Sequence, residues 1–127
     1  MKYLLDTNAL LWAMENDGHL TEKAREAIIN GDNDIYVSIA SLWEIAIKLS
    51  INKLDLTKTI DEIIQEMEHQ GMFILQISLN AIRNVRNMPF HHRDPFDRLI
   101  IAQAQADDLI VITKDEIFEE YQVKLHW

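Results

Sequence analysis

The chain has 127 residues, with 21 Asp and Glu against 12 Lys and Arg for a formal net charge of −9; 48% of residues are hydrophobic and 26% charged. This is the size and composition of a single globular domain spanning residues 1–127, and it excludes disorder and collagen-like structure. The lack of cysteine removes disulfides, thiolate metal sites and thiol nucleophiles. No apolar run nears the ~20 residues of a membrane helix, and the amino terminus has no basic-then-apolar leader, so a cytoplasmic protein with no membrane segment is expected.

In chain order, short apolar runs bounded by polar or Gly residues read as buried strands: Tyr3 to Leu5, Ile35 to Val37, Met72 to Ile77 and Leu109 to Ile112. Helical patterns follow each of them. Ala9 to Met14 and Ala24 to Ile29 predict two short helices, the second capped by Thr21, and Leu42 to Leu49 predicts an apolar-rich third. Thr59 with Glu62 three residues on is a capping-box signature, and Ile60, Ile63, Ile64 and Met67 then fall on one helical face. Ser78 is placed to cap a helix through Val85, and Asp94-Pro95 reads as cap and first residue of a helix to about Ala106. Val123, Leu125 and Trp127 alternate as a final edge strand would. Only three Gly and two Pro interrupt the chain, with no linker or repeat.

Strands alternating with helices predict an α/β fold: a Rossmann-like three-layer sandwich around a central parallel sheet of four to five strands. In open sheets of this kind, ligands bind beyond the carboxyl ends of the strands. Asp6 follows the first strand, and Asp115 follows the Leu109–Ile112 strand through Thr113 and Lys114. Glu44 lies in an apolar stretch about a turn into the helix after the second strand, and Asp94 and Asp97 open the helix that leads to the last main strand. Each acid has an ordinary structural explanation. Asp6, Asp94 and Asp115 suit helix caps, Asp97 a first-turn acid, and Glu44 a partner for Lys48 at i+4. Taken together, Asp6, Glu44, Asp97 and Asp115 converge on one edge of the predicted sheet. Clustered carboxylates repel unless a cation offsets them, and oxygen ligands without thiolates favour Mg2+ or Mn2+.

Thr7, Asn8 and Thr113 read either as hydrogen-bond partners that orient the carboxylates or as cap and strand-end residues. His91 and His92 fall in a loop after Pro89, where solvent exposure is the simpler expectation and ligand contact or proton transfer the sharper one. Arg93 and Arg98 flank the acids and suit phosphate contacts, with Arg98 alternatively locking Asp94 or Asp97 in an ion pair. Trp12 and Trp43 lie in apolar helical patterns and are expected in the core.

Leu4-Leu5-Asp6-Thr7-Asn8, Ser41-Leu42-Trp43-Glu44-Ile45, the run His92-Arg93-Asp94-Pro95-Phe96-Asp97-Arg98-Leu99-Ile100-Ile101-Ala102-Gln103-Ala104 and Thr113-Lys114-Asp115 together resemble, in order and spacing, the PIN-domain ribonucleases. The compact layout is most similar to the VapC-type toxins of bacterial toxin–antitoxin pairs. The resemblance implies an Mg2+- or Mn2+-dependent endoribonuclease with Asp6, Glu44, Asp97 and Asp115 as catalytic and metal-binding acids and Asp94 as a further candidate ligand. It also implies RNA as substrate, with His92, Arg93 and Arg98 as candidate contacts, a cognate antitoxin and a homodimer. Asp115 is followed by Glu116 and not by a second Asp two positions on, a departure from the fuller pattern of the family. A haloacid dehalogenase-like phosphatase would need an Asp where Asn8 stands, and a receiver domain a phosphorylatable Asp where Ser78 stands. The remaining alternative is a non-catalytic acidic α/β binding module. The net charge does not oppose an RNA substrate, because residues 83–98 hold four Arg against two Asp and bound metal would offset the clustered acids.

Overall fold

The structure is a computed structural model describing all residues, 1–127. Five strands, β1 (Lys2–Leu5), β2 (Asp34–Ser38), β3 (Phe73–Leu75), β4 (Ile110–Ile112) and β5 (Lys124–His126), form one sheet in the order β3-β2-β1-β4-β5. Every neighbouring pair is parallel; Leu5 aligns with Val37 on one side and with Ile112 on the other. Six helices intervene: α1 (Thr7–Met14), α2 (Glu22–Ile29), α3 (Ile39–Ser50), α4 (Ile60–His69), α5 (Leu79–Asn87) and α6 (Pro95–Asp107). Glu116–Glu120 adds a short 3-10 turn.

Side chains alternate across a strand, and in β1 that alternation separates two cores. Tyr3 and Leu5 pack with Leu10, Ala24, Ile45, Ile63 and Met67, from α1 to α4. Leu4 points the other way and joins Val111 with Ala81, Ile100, Ile101, Ala104 and Phe118. Both faces of the central strands are therefore covered, as their unbroken apolar runs require, and the layering is the predicted sandwich. No helix is long and apolar enough to cross a membrane.

The helix-start expectations hold at Thr21, Ser78 and Asp94, whose side chains accept from Ala24, Ala81, and Phe96 and Asp97 nitrogens respectively. Thr59 and Glu62 form the reciprocal capping box. Several element ends lie a residue or two from the sequence reading, and three differences have a local physical cause. Helix α3 begins at Ile39 because Ser38 caps it. Strand β3 is only Phe73–Leu75 and lies at the sheet edge, with Phe73 and Ile74 exposed. Leu109 is excluded from β4: Asp108 adopts a left-handed conformation (φ 53°), and the Leu109 N–H closes the end of α6 on the Ala104 carbonyl (2.9 Å).

The chain runs from β1 outward to β3, then returns to place β4 on the other side of β1. The β1/β4 boundary is thus the topological switch point, where open parallel sheets bind ligands. Buried Gln103 anchors α6 across this arrangement, accepting from Ser38 Oγ (2.6 Å) and donating to the Gln76 carbonyl (3.3 Å).

Candidate active site

Asp6 is the first residue beyond β1, and its N–H extends the ladder to the Ile112 carbonyl (3.1 Å). One carboxylate oxygen caps α1 by accepting from the Ala9 N–H (2.7 Å); the other accepts from the Thr113 hydroxyl (2.5 Å). The side chain is buried. Burial raises its pKa to about 6, the Thr113 and Ala9 bonds pull against that, and the charges of Asp115 and Glu44 push with it. Capping is therefore real, and it does not use up the group.

Glu44 is also buried, as its apolar neighbours foretold, and the Lys48 pairing holds as well, with Nζ 2.6 Å from Oε2. Its other oxygen accepts from the Thr7 hydroxyl at 2.7 Å, and Thr7 Oγ1 is 3.0 Å from Ser41 Oγ. Lys48 is held protonated above its ordinary range, chiefly by the Glu44 hydrogen bond; burial opposes this, and the charges of Glu44, Asp94 and Asp97 add to it.

Asp97, in the first turn of α6, has the most perturbed carboxyl group, with a pKa raised to about 8. Burial contributes most, followed by the charges of Asp94, Asp6, Glu44 and Asp115. Four elements thus bring five acids within electrostatic reach of one point. As the side chains stand, no three of them meet at metal-bonding distances, so the convergence is one of charge.

Asp94 is exposed and caps α6, as its sequence position indicated. Asp115, also exposed, caps the 3-10 turn through the Ile117 N–H (3.0 Å), while its own N–H reaches Thr113 Oγ1 (3.0 Å). Glu116 is exposed and is absent from the charges acting on Asp6 and Asp97. Thr7 and Thr113 make the orienting hydrogen bonds; Asn8 is exposed to solvent.

Several expectations around the acids are overturned. Arg98 neither faces solvent nor pairs with an acid. It is buried, donates to the Pro89 and Met88 carbonyls (2.8 and 3.3 Å) and to the Tyr121 hydroxyl (3.2 Å), and lies over the Phe90 ring. It is the pin that holds the loop before α6, a use of the fixed guanidinium fork that sequence position does not reveal. A buried Arg98 is unavailable to phosphate, which leaves Arg93 as the exposed arginine of that loop. Trp43 is 61% exposed and not in the core; it meets Phe96 edge-on at 5.4 Å, so an aromatic pair borders Glu44 and Asp97. Trp12 is half-buried at the margin of the core, not inside it, between His19 and Trp127.

His91 is exposed, with its ring edge on Tyr121, whereas His92 is half-buried. The loop is tied down, because the N–H groups of both histidines reach the Tyr121 hydroxyl. Sequence reasoning missed Tyr121 altogether; a lone Tyr after an acidic turn carries no signal of the bonds it collects. A cleft of about 430 Å3 lined by Asn84, Met88, His91 and Tyr121 among others lies beside this loop, and Asp6, Glu44, Asp97 and Asp115 do not line it.

A parallel α/β sandwich with acids gathered at its switch point defines the class of molecule. Residues 3–124 match the PIN domain family model, and the chain belongs to that family. The fold is similar to that of VapBC2 from Rickettsia felis bound to a promoter DNA fragment (17% identity, TM-score 0.71, covering 98% of this chain and 97% of the other). It is also similar to DNA-bound VapBC from Salmonella typhimurium (19%, 0.70, 98% and 96%) and to FitAcB from Neisseria gonorrhoeae (20%, 0.66, 97% and 95%). Among curated proteins nothing matches.

Proposed function

We propose that this chain is a metal-dependent endoribonuclease and the toxin of a toxin–antitoxin pair, acting in the cytoplasm. The observation that carries the reading is the Asp97 carboxyl, raised to about 8 by its burial and by four other acids at the switch point of a PIN-family fold. A cluster of like charges is costly without a counter-charge, and the ion pair that Lys48 makes is with Glu44. An all-oxygen, anionic donor set fits Mg2+ or Mn2+. Asp6, Glu44, Asp97 and Asp115 would hold the ion, with Asp94 at its margin.

When bound, such an ion lowers the pKa of a water molecule and offsets charge on the phosphodiester under attack. The protein's own part is positional. Thr113 fixes Asp6 and Thr7 fixes Glu44, so two carboxylates are aimed before anything binds. Arg93 supplies an exposed cation and Trp43 an exposed ring on which an unpaired base can stack.

An antitoxin partner is supported by neighbours that were solved as VapBC assemblies, and a homodimer completes the proposed assembly. The test is cleavage of single-stranded RNA with Mg2+ or Mn2+, with chelator and with Asp6→Asn and Asp97→Asn. Loss of cleavage in all three controls is expected. Full activity in either folded variant refutes the assignment.

A further inference from the structure

The geometry points to His92 as a positioning residue for Asp97, its ring proton set on Nε2 by Tyr121 and directed at the Asp97 carboxyl oxygen Oδ2. This rests on the proposed reading of Asp97 as a metal-holding acid, and it deepens that reading by adding two residues from outside the acid cluster.

Tyr121 is buried, and its hydroxyl sits among hydrogen-bond donors. Three N–H groups point at its oxygen: the backbone of His91 (3.2 Å), the backbone of His92 (3.3 Å) and Arg98 Nη1 (3.2 Å). A phenolic oxygen has one proton to give and limited accepting capacity. With its acceptor side filled by these donors, the hydroxyl has its own proton left to place. His92 Nδ1 stands 3.0 Å away and takes it, so Nδ1 is an acceptor and the ring proton lies on Nε2. The tautomer is assigned here from the hydrogen-bond network.

Nε2 is buried and has no hydrogen-bond partner. The nearest acid oxygen is Asp97 Oδ2 at 3.6 Å, just beyond hydrogen-bond length. A buried N–H that lacks an acceptor is unfavourable, and a small turn of the Asp97 side chain gives it one. Hydrogen bonds at active sites are often long before ligand binds and tighten afterwards. The chain of contacts Tyr121, His92, Asp97 therefore does for Asp97 what Thr113 does for Asp6 and Thr7 for Glu44. It also accounts for Arg98, whose burial holds both the Pro89 carbonyl and the Tyr121 oxygen and so fixes the loop that carries His92.

The decisive experiment is a long-range 15N–1H correlation spectrum of the full-length, metal-free chain, with the His92 signals assigned by their loss in His92→Gln. An Nε2–H tautomer is expected, and Tyr121→Phe is expected to populate the Nδ1–H form. An Nδ1–H tautomer in the unmodified chain overturns the inference. Mn2+ affinity measured by calorimetry is the second readout. His92→Ala and His92→Asn are expected to weaken it by about 10- to 100-fold. His92→Gln, whose amide nitrogen reaches the former Nε2 position, is expected to restore most of it. Equal affinity in His92→Ala and the unmodified chain, both folded by circular dichroism, overturns the positioning role alone. Absence of Mn2+ uptake by the unmodified chain overturns the reading of the acid site and this inference with it.

Discussion

Replacing Asp97 by Asn is expected to abolish cleavage and, in the metal-free protein at pH 8, to raise stability. The carboxyl moves from an ordinary value of 3.8 in the unfolded chain to about 8 in the folded one. At about 1.4 kcal/mol per pH unit, the full shift corresponds to about 6 kcal/mol disfavouring the ionised folded form. Water reaches the 22% of the side chain that is exposed, and the flanking acids can turn apart, so the observable gain is expected to be smaller, at least ~1.5 kcal/mol.

The sign follows from proton counting. Below about 3.8 the group is protonated in both states and contributes no penalty. Between about 3.8 and 8 the unfolded chain has released the proton that the folded chain retains, so stability falls as pH rises. Asparagine lacks this slope. Thermal unfolding without metal should therefore show the two proteins converging near pH 3. At pH 8 they should separate by roughly 5 °C or more, with the variant the more stable. Added Mn2+ should stabilise the unmodified protein and leave the variant nearly unmoved. A variant that is no more stable at pH 8, or whose margin persists unchanged in acid, refutes the electrostatic reasoning.

Thr113→Val removes the hydroxyl that serves both Asp6 and the Asp115 N–H; a loss of about 1–3 kcal/mol is expected by chemical denaturation, largely recovered by Thr113→Ser. Lys48→Met leaves buried Glu44 without its cation and should destabilise by a similar ~1–3 kcal/mol, whereas adding Glu44→Gln to it should return most of the stability while cleavage stays absent. Trp43→Ala should lower kcat/KM on single-stranded RNA by about tenfold or more, at ~1–3 kcal/mol per stacked base, and Trp43→Phe should retain most of it; an unchanged kcat/KM in Trp43→Ala removes the ring from the substrate surface.

Much of the frame is legible in the sequence. Thr59 with Glu62, Asp94 with Pro95, and Ser78 all stand where a helix must start, because capping is local chemistry between residues two or three apart. The strand runs of β1, β2 and β4 were visible as unbroken apolar segments, since both faces of a central parallel strand are covered. The acids at the strand ends followed from those two signals together. Less legible was β3, whose apolar run from Met72 to Ile77 overstates an edge strand three residues long. An edge is paired on one side only, and apolar composition does not report how many neighbours a strand has.

The sequence by itself determined which elements form and in what order, which residues cap α2, α4, α5 and α6, and that Asp6, Glu44, Asp97 and Asp115 share one end of the sheet. These follow from short-range geometry and from the strand–helix alternation. Only the tertiary structure decided what the polar residues around the acids do. Arg98 is a buried loop pin, Trp43 is a solvent-exposed ring, and His92 is turned by Tyr121 toward Asp97. The physical reason is that a long side chain bonds across gaps of 20 or more residues, as Arg98 and His92 both do with Tyr121. Charge and hydrophobicity along the chain are blind to such pairings.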